Sequence, residues 1–325
     1  MYHHIEGNIY TIPVTLPDTP LKQLNAYVIR GEDRSLLIDT GFNCETSWES
    51  LSAGLRELEL DMDRMDIFLT HAHADHAGLS TRASAPGTRV YISRRDLELL
   101  HLMTSPENDV RNRALNLQNG FPPSQLEGVA AAPLSNYLCA DIRGFVPVED
   151  GHTFAYGGRT LTAIATPGHT PGHMCLYDTA HQIMFLGDHV LFDISPNITV
   201  WQNFPNALGS YVHSLQKIAR YDVRLALPAH RGTAGSMEDR IVQIMEHHGM
   251  RLHEMYEQLL ETAGLTPYEI ASRMSWSIHG DGGWETVPYS QKWFAVREAM
   301  AHLEYLRLGD QIRMETREGV NYYHP

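Results

Sequence analysis

Six consecutive residues, His71-Ala72-His73-Ala74-Asp75-His76, carry four side chains able to bind a metal ion, directly after the apolar run Met65-Asp66-Ile67-Phe68-Leu69-Thr70. A run of that length and composition predicts a buried β-strand, so the donors stand where the strand opens into a loop. Alternation along an extended chain puts His71 and His73 on one side, while Asp75 and His76, just past the strand, can turn toward a second position. One short segment can therefore seed two neighbouring metal positions. Core packing has no use for such a cluster, because buried imidazoles and carboxylates need partners to offset their lost hydration. The chain must fold so that further donors reach the same strand end.

Three other segments share this grammar. Thr166-Pro167-Gly168-His169-Thr170-Pro171-Gly172-His173 follows the strand-like run Leu161-Thr162-Ala163-Ile164-Ala165. Gly187-Asp188-His189 follows Gln182-Ile183-Met184-Phe185-Leu186, and Pro228-Ala229-His230-Arg231-Gly232 follows Val223-Arg224-Leu225-Ala226-Leu227. In each, an apolar strand ends, a Gly- or Pro-bearing turn begins, and His or Asp sits at the junction. A lone His in such a place is commonly solvated or hydrogen-bonded. Four coordinated occurrences point instead to a site built at the edge of an open sheet.

With these elements present in order, the chain resembles the metallo-β-lactamase fold superfamily over residues 1–235, whose signature is His-x-His-x-Asp-His followed by separate His, Asp and His. The resemblance implies an α/β fold, an αββα sandwich of the metallo-β-lactamase type. It also implies two divalent metal ions, with His71, His73 and His169 on the first, Asp75, His76 and His230 on the second, and Asp188 bridging them. Asp39, in Leu37-Ile38-Asp39-Thr40-Gly41, matches the family's Asp-x-Gly turn, which supports the site without ligating. The bridging position is Asp188, where many true β-lactamases have Cys, so the chain looks closer to glyoxalase II, lactonase and lactamase-beta-2-like hydrolases. Cys175, on the strand after His169, reads as core.

Two dications about 3.5–4 Å apart can share a water and lower its pKa toward neutrality. Zn2+ is the default for this His/Asp donor set, and Fe or Mn fits the same ligands. Asp75 is the catalytic candidate, orienting the hydroxide nucleophile and relaying a proton to the departing atom. The expected reaction is hydrolysis of a small ester, thioester or lactone. The alternatives are a metal-dependent nuclease or phosphodiesterase, and an iron-dependent persulfide-type dioxygenase; the complete second donor set argues against the latter. His173 and His189 read as braces for the ligands rather than as ligands. Asp193 and Asn197 are candidates for the pocket edge.

Composition fits a globular enzyme, with 43% hydrophobic and 20% charged residues among 325. No apolar run reaches about eighteen residues, so no membrane span is expected, and the first residues lack the basic and apolar stretches of a secretory signal. Cys44, Cys139 and Cys175 are odd in number and far apart, which predicts reduced thiols and a cytoplasmic setting. The 39 acidic against 25 basic residues leave a net charge of −14, which disfavours nucleic acid as a partner. A small molecule is the expected substrate.

Leu24–Ile29 and Ser35–Ile38 read as a hairpin, Thr46–Leu60 as a helix, and further hairpins turn at Gly157-Gly158 and around Asp178–His181. A helix near Leu208–Tyr221 leads to the His230 strand. Between His76 and His169 lies a helical insertion, about 98–145, whose Met103, Phe121 and Tyr137 suit either a pocket wall or a small separate core. Residues 236–325 read as a second domain. A long helix runs from Ile241 toward Leu260, a second is capped by Thr266 with Pro267 in its first turn, a third spans Trp293–Leu308, and a hairpin turns around Arg317-Glu318-Gly319. This order resembles a small winged-helix-like extension. Its 13 acidic and 8 basic residues over 239–325, and a third helix without an Arg cluster, suit packing on the catalytic domain or a homodimer better than DNA binding.

Overall fold

The computed structural model of the chain describes residues 1–127, 134–276 and 283–325. Two compact units emerge. The first gathers Met1–Thr104, Leu134–Pro196 and Ser214–Ile241, and the second Ser105–Pro133, Asn197–His213 and Val242–Pro325. Each unit thus draws on three stretches of chain, where sequence patterning places one boundary at residue 235.

In the first unit a seven-stranded sheet runs in chain order: β1 (His3–Glu6), β2 (Ile9–Thr15), β3 (Gln23–Ile29), β4 (Ser35–Ile38), β5 (Met65–Phe68), β6 (Val90–Ser93) and β7 (Val146–Val148). Neighbours from β1 to β4 are antiparallel and joined by short connections. From β4 to β7 they are parallel, which demands crossovers. These are α1 (Glu45–Glu57), the single turn α2 (Ala74–Ala77), and the insertion carrying α3 (Arg94–Met103) and α4 (Asn108–Gln118). β4 and β5 are buried along their whole length, as parallel central strands are, which suits their mostly apolar residues, while the buried Asp66 of β5 is paired with Arg34 and Arg89.

The second sheet has the order β12-β11-β10-β9-β8, from β8 (Thr153–Tyr156), β9 (Arg159–Ala165), β10 (Met174–Asp178), β11 (Ile183–Gly187) and β12 (Leu225–Pro228). All its pairs are antiparallel except β11 with β12, where α5 (Ala207–Ile218) makes the crossover. Alternate residues of both sheets meet in one core: Ile9, Tyr27, Ile29, Leu36, Ile38 and Phe68 from the first, and Phe154, Leu161, Ala163, Leu176 and Phe185 from the second. Edge-to-face pairs, Tyr27 on Phe185 at 5.4 Å and Phe68 on Phe154 at 5.6 Å, lock the layers. On the outer face Ile12 of β2 sits beneath Gly54 of α1, beside the buried Leu51 and Leu55. The sandwich expected from the strand pattern is present.

The second unit has its own core. Helix α6 (Met237–Glu261) is one element of 25 residues, followed by α7 (Pro267–Arg273), α8 (Tyr289–Leu308) and a hairpin of β13 (Arg313–Arg317) with β14 (Val320–His324). Thr266 and Glu269 form a reciprocal capping box at the start of α7, with Pro267 in the first turn. Val296, Ala299, Met300, Leu303 and Leu306 of α8 pack with Met255, Leu259, Ile270 and Tyr323, and with Phe121 and Leu126 from the insertion. Phe121 is therefore a core residue rather than a pocket wall, while Tyr137, in the first unit, stacks on Phe42 at 4.6 Å. The apolar residues of α8 are thus packed within its own unit. Residues 128–133 of the insertion lie outside the described residues. Among the described residues no helix is long and apolar enough to cross a membrane.

Candidate metal centre

Strand directions bring the four donor segments to one edge. β9 and β11 both run antiparallel to β10, and β12 is parallel to β11, so the carboxyl ends of β9, β11 and β12 open on the same side. The Met174 N–H donates to the Thr70 carbonyl (2.9 Å), which ties the end of the β5 segment to the same place. Extended pairing in β5 stops at Phe68, two residues earlier than its apolar run suggests. The chain past it is bent by Asp39, which follows β4 with a left-handed backbone (φ 61°). Asp39 accepts from the Thr70 N–H and from the Thr70 hydroxyl, each at 2.8 Å, and its Oδ2 lies 2.8 Å from His76 Nδ1. That contact turns Nε2 of His76 into the cluster.

The seven expected donors converge. One ligand atom each from His71, His73 and His169 lie within 4.8 Å of one another, as do those of Asp75, His76 and His230. His71, His76 and Asp188 form a third such group. Asp188 stands between the first two groups: its Oδ2 is 3.6 Å from His169 Nε2, and its Oδ1 is 3.6 Å from His76 Nε2 and 3.4 Å from His230 Nε2. Asp75 Oδ2 is 3.3 Å from His230 Nε2. His230 Nδ1 donates to the Gln23 carbonyl at 2.8 Å, which leaves Nε2 as the bare nitrogen facing the carboxylates.

A cation suits this arrangement. His76 Nε2, His230 Nε2 and Asp188 Oδ1 are buried without a hydrogen bond, a costly state unless something positive lies among them. Burial, reinforced by neighbouring imidazoles, holds His71 well below its ordinary pKa and His73 down at about 3, so both keep a lone pair to share. Burial would depress His76 too, but the Asp39, Asp188 and Asp75 carboxylates outweigh it and push it up. The converse holds at Asp188, where burial is overcome by His230 and His76 and the carboxyl stays ionised. Nitrogen and oxygen donors of this kind accept zinc, iron or manganese.

One supporting residue, Asp96, escapes sequence reasoning. Asp96, fully buried in the first turn of α3, accepts from the Ala72 N–H (2.9 Å), the Thr170 hydroxyl (2.7 Å) and the Gly172 N–H (2.6 Å), so it ties the His71–His73 loop to the His169 loop. Burial pushes its carboxyl up to about 6 against those donors. A side chain at Gly172 would run into Ser93 and Asp96, so the close approach requires glycine there. Gly187 has φ 52°, and a Cβ would lie 2.6 Å from His173 Nε2 and 2.8 Å from Thr70 Oγ1. His173 braces the site: its Nδ1 lies 2.8 Å from the Thr166 hydroxyl, and its Nε2 accepts from the Asp188 N–H at 3.2 Å. Cys175 is fully buried on β10, with its thiol pushed up to about 12 by burial. The Asn197 amide donates to Glu298 at 2.7 Å, and the segment after Pro196 belongs to the second unit. Asp193 is exposed.

A family model described as the metallo-beta-lactamase superfamily matches residues 19–230. A lactamase-like protein, nscB, from Neosartorya fischeri is 30% identical over 307 residues, covering 83% of this chain and 77% of its own. The atrochrysone carboxyl ACP thioesterase of Emericella nidulans is 24% identical over 261 residues, covering 80% of this chain and 67% of its own. Among solved structures, a metallo-beta-lactamase family protein from Thermus thermophilus is similar with a TM-score of 0.82 and 27% identity, covering 98% of each chain.

Proposed function

The chain belongs to the metallo-beta-lactamase superfamily and is a metal-dependent hydrolase, and on that footing we propose that it hydrolyses a small ester, thioester or lactone at a centre for two divalent metal ions. The observation that carries this reading is the meeting of seven His and Asp donors around three buried atoms that no hydrogen bond satisfies. His71, His73 and His169 would hold one ion, Asp75, His76 and His230 the other, and Asp188 would bridge them, its two oxygens facing opposite groups. We assign Zn2+ on the donor set. Among the three acyl classes, the thioesterase name of the Emericella relative favours a thioester.

Bound there, the two ions would polarise the substrate carbonyl and make water acidic enough to attack at neutral pH. The chain's own residues do the rest. Asp39 and Thr70 hold the His76 ring in place, and Gln23 fixes the tautomer of His230. Asp75 orients the attacking water and carries its proton to the departing oxygen or sulfur, so an acid leaves with an alcohol or a thiol. Asp188 sets the separation of the two ligand groups.

Metal content of the purified protein, followed by turnover of thioester, ester, lactone, β-lactam and phosphodiester substrates, tests the reading. Asp188→Ala should lose at least one ion per chain and turn over substrate about a hundredfold or more slowly. Two retained ions with normal turnover would contradict the bridging role, and hydrolysis of phosphodiesters alone would favour the nuclease reading. For the second unit we keep a winged-helix-like assignment, supported by the order α7, α8, β13, β14, and packing rather than DNA binding as its role. The three free thiols suit a cytoplasmic setting.

A further inference from the structure

Beside His230 lies a cleft of about 230 Å³ lined by Pro20, Leu21, Lys22, Gln23 and Arg231. It borders the candidate centre through His230, whose ring Gln23 holds from the Nδ1 side through its carbonyl, and Arg231 is the next residue in the chain. Its walls are fixed to one another. The Asn25 N–H donates to the Ala229 carbonyl (2.7 Å), and the Asn25 amide donates to the carbonyls of Pro228 (3.2 Å) and Arg231 (2.8 Å). Across the β2–β3 turn, the Leu16 N–H donates to the Lys22 carbonyl at 2.8 Å. Lys22 and Arg231 both hold left-handed backbones, with φ 62° and 60°, conformations that cost non-glycine residues about 1 kcal/mol or more each.

The two cations are unneutralised. Among the described residues neither Lys22 nor Arg231 has a carboxylate within ion-pair distance, and the hydrogen bond recorded for the Arg231 side chain goes to the Pro20 carbonyl at 3.4 Å. The larger cleft, about 400 Å³ beside Arg30 and Arg64, differs: Arg30 faces Glu59 and Arg64 faces Asp33, each at 3.8 Å. A guanidinium and an ammonium left open on fixed backbone next to a reacting centre match an anionic oxygen group.

We propose that the substrate is anionic, and that Lys22 and Arg231 bind its carboxylate or phosphate in the cleft beside His230 while the acyl bond is cleaved at the metal centre. This rests on the hydrolase reading above. Pro20 and Leu21 supply apolar wall for the carbons that separate the charged group from the reacting carbonyl.

Four thioesters separate the sources of charge: one neutral throughout (an acetyl thioester of N-acetylcysteamine), one with a carboxylate on the acyl half (the succinyl thioester), one with phosphate on the thiol half (acetyl phosphopantetheine), and one with both. In a K22Q/R231Q variant, KM for substrates charged on the recognised half should rise about tenfold or more, equivalent to 1.4 kcal/mol, with kcat nearly unchanged and the neutral substrate unaffected. Wild-type KM for the same substrates should rise with added salt. That salt dependence needs no variant, so a misfolded double variant leaves the proposal testable. An effect on either charged half supports the site. Equal changes for neutral and charged substrates, or none, overturn it. Calorimetric binding of a non-hydrolysable thioether carrying both charges is read separately. If no thioester is turned over, the thioester preference fails, yet loss of thioether binding in the variant still supports the anion site, and unchanged binding overturns it.

Discussion

At Asp39 two carboxylate oxygens serve the Thr70 N–H, the Thr70 hydroxyl and His76 Nδ1, and all these partners are buried. An amide in its place keeps the shape but offers one acceptor where two are needed, and turns an N–H toward a donor. Asp39→Asn should therefore leave the fold intact while the His76 ring loses its fixed aim. Metal affinity, read by competition with a chromogenic chelator, should fall about ten- to a hundredfold; an unchanged affinity would show that His76 needs no such brace. Asp39 was legible in the sequence because it sits in a short, recognisable strand-end turn. Asp96 was not, since nothing within α3 distinguishes it from an ordinary acidic residue of a first helical turn. Its role arises from Ala72, Thr170 and Gly172, which are distant in sequence.

Helix α8 shows the same limit at the scale of an element. Its apolar spacing marks it as a helix, but Lys292, Arg297, Glu298 and His302, of residue types seldom found fully buried, are all buried. Each of the last three finds partners elsewhere in the second unit: Arg297 donates to Asn112 and Asn116, Glu298 accepts from Asn197, and His302 Nε2 lies 3.0 Å from His248 Nδ1. Burial pushes Glu298 from an ordinary 4.5 to about 7, with Arg251 and Asn197 opposing. The folded chain therefore holds this proton more tightly than the unfolded chain. Between about pH 4.5 and 7 its contribution to stability is lost as pH rises, up to about 3 kcal/mol. Glu298→Gln should flatten that fall, so that its stability relative to wild type is greater at pH 8 than at pH 5 in urea unfolding. Parallel curves for the two proteins would refute a buried, protonated Glu298.

For the molecule as a whole, the sandwich gathers ionised carboxylates at one edge of a chain already carrying −14. A bound cation relieves that repulsion in the folded state and has no equivalent site in the unfolded chain. Ion present at a thousand times its Kd stabilises the fold by about 4 kcal/mol. Stripping metal with a chelator should thus abolish turnover and lower the unfolding temperature by on the order of 10 °C, and added Zn2+ should restore both. Removal of all metal with no thermal shift would mean that the seven donors do not hold ions in the way proposed.

The strand ends, their His and Asp donors, the hairpins and the capped helix of the second unit could be read from the chain alone, because each is a pattern of neighbours within about ten residues. The division into units could not, nor could the Asp96 tie, the buried charges of α8 or the open cations at Lys22 and Arg231. Those depend on contacts such as Gln23 with His230 and Asn197 with Glu298, which form when distant segments close on one another. Local periodicity dictates what each segment becomes, whereas the burial and pairing of a charge belong to the packed whole.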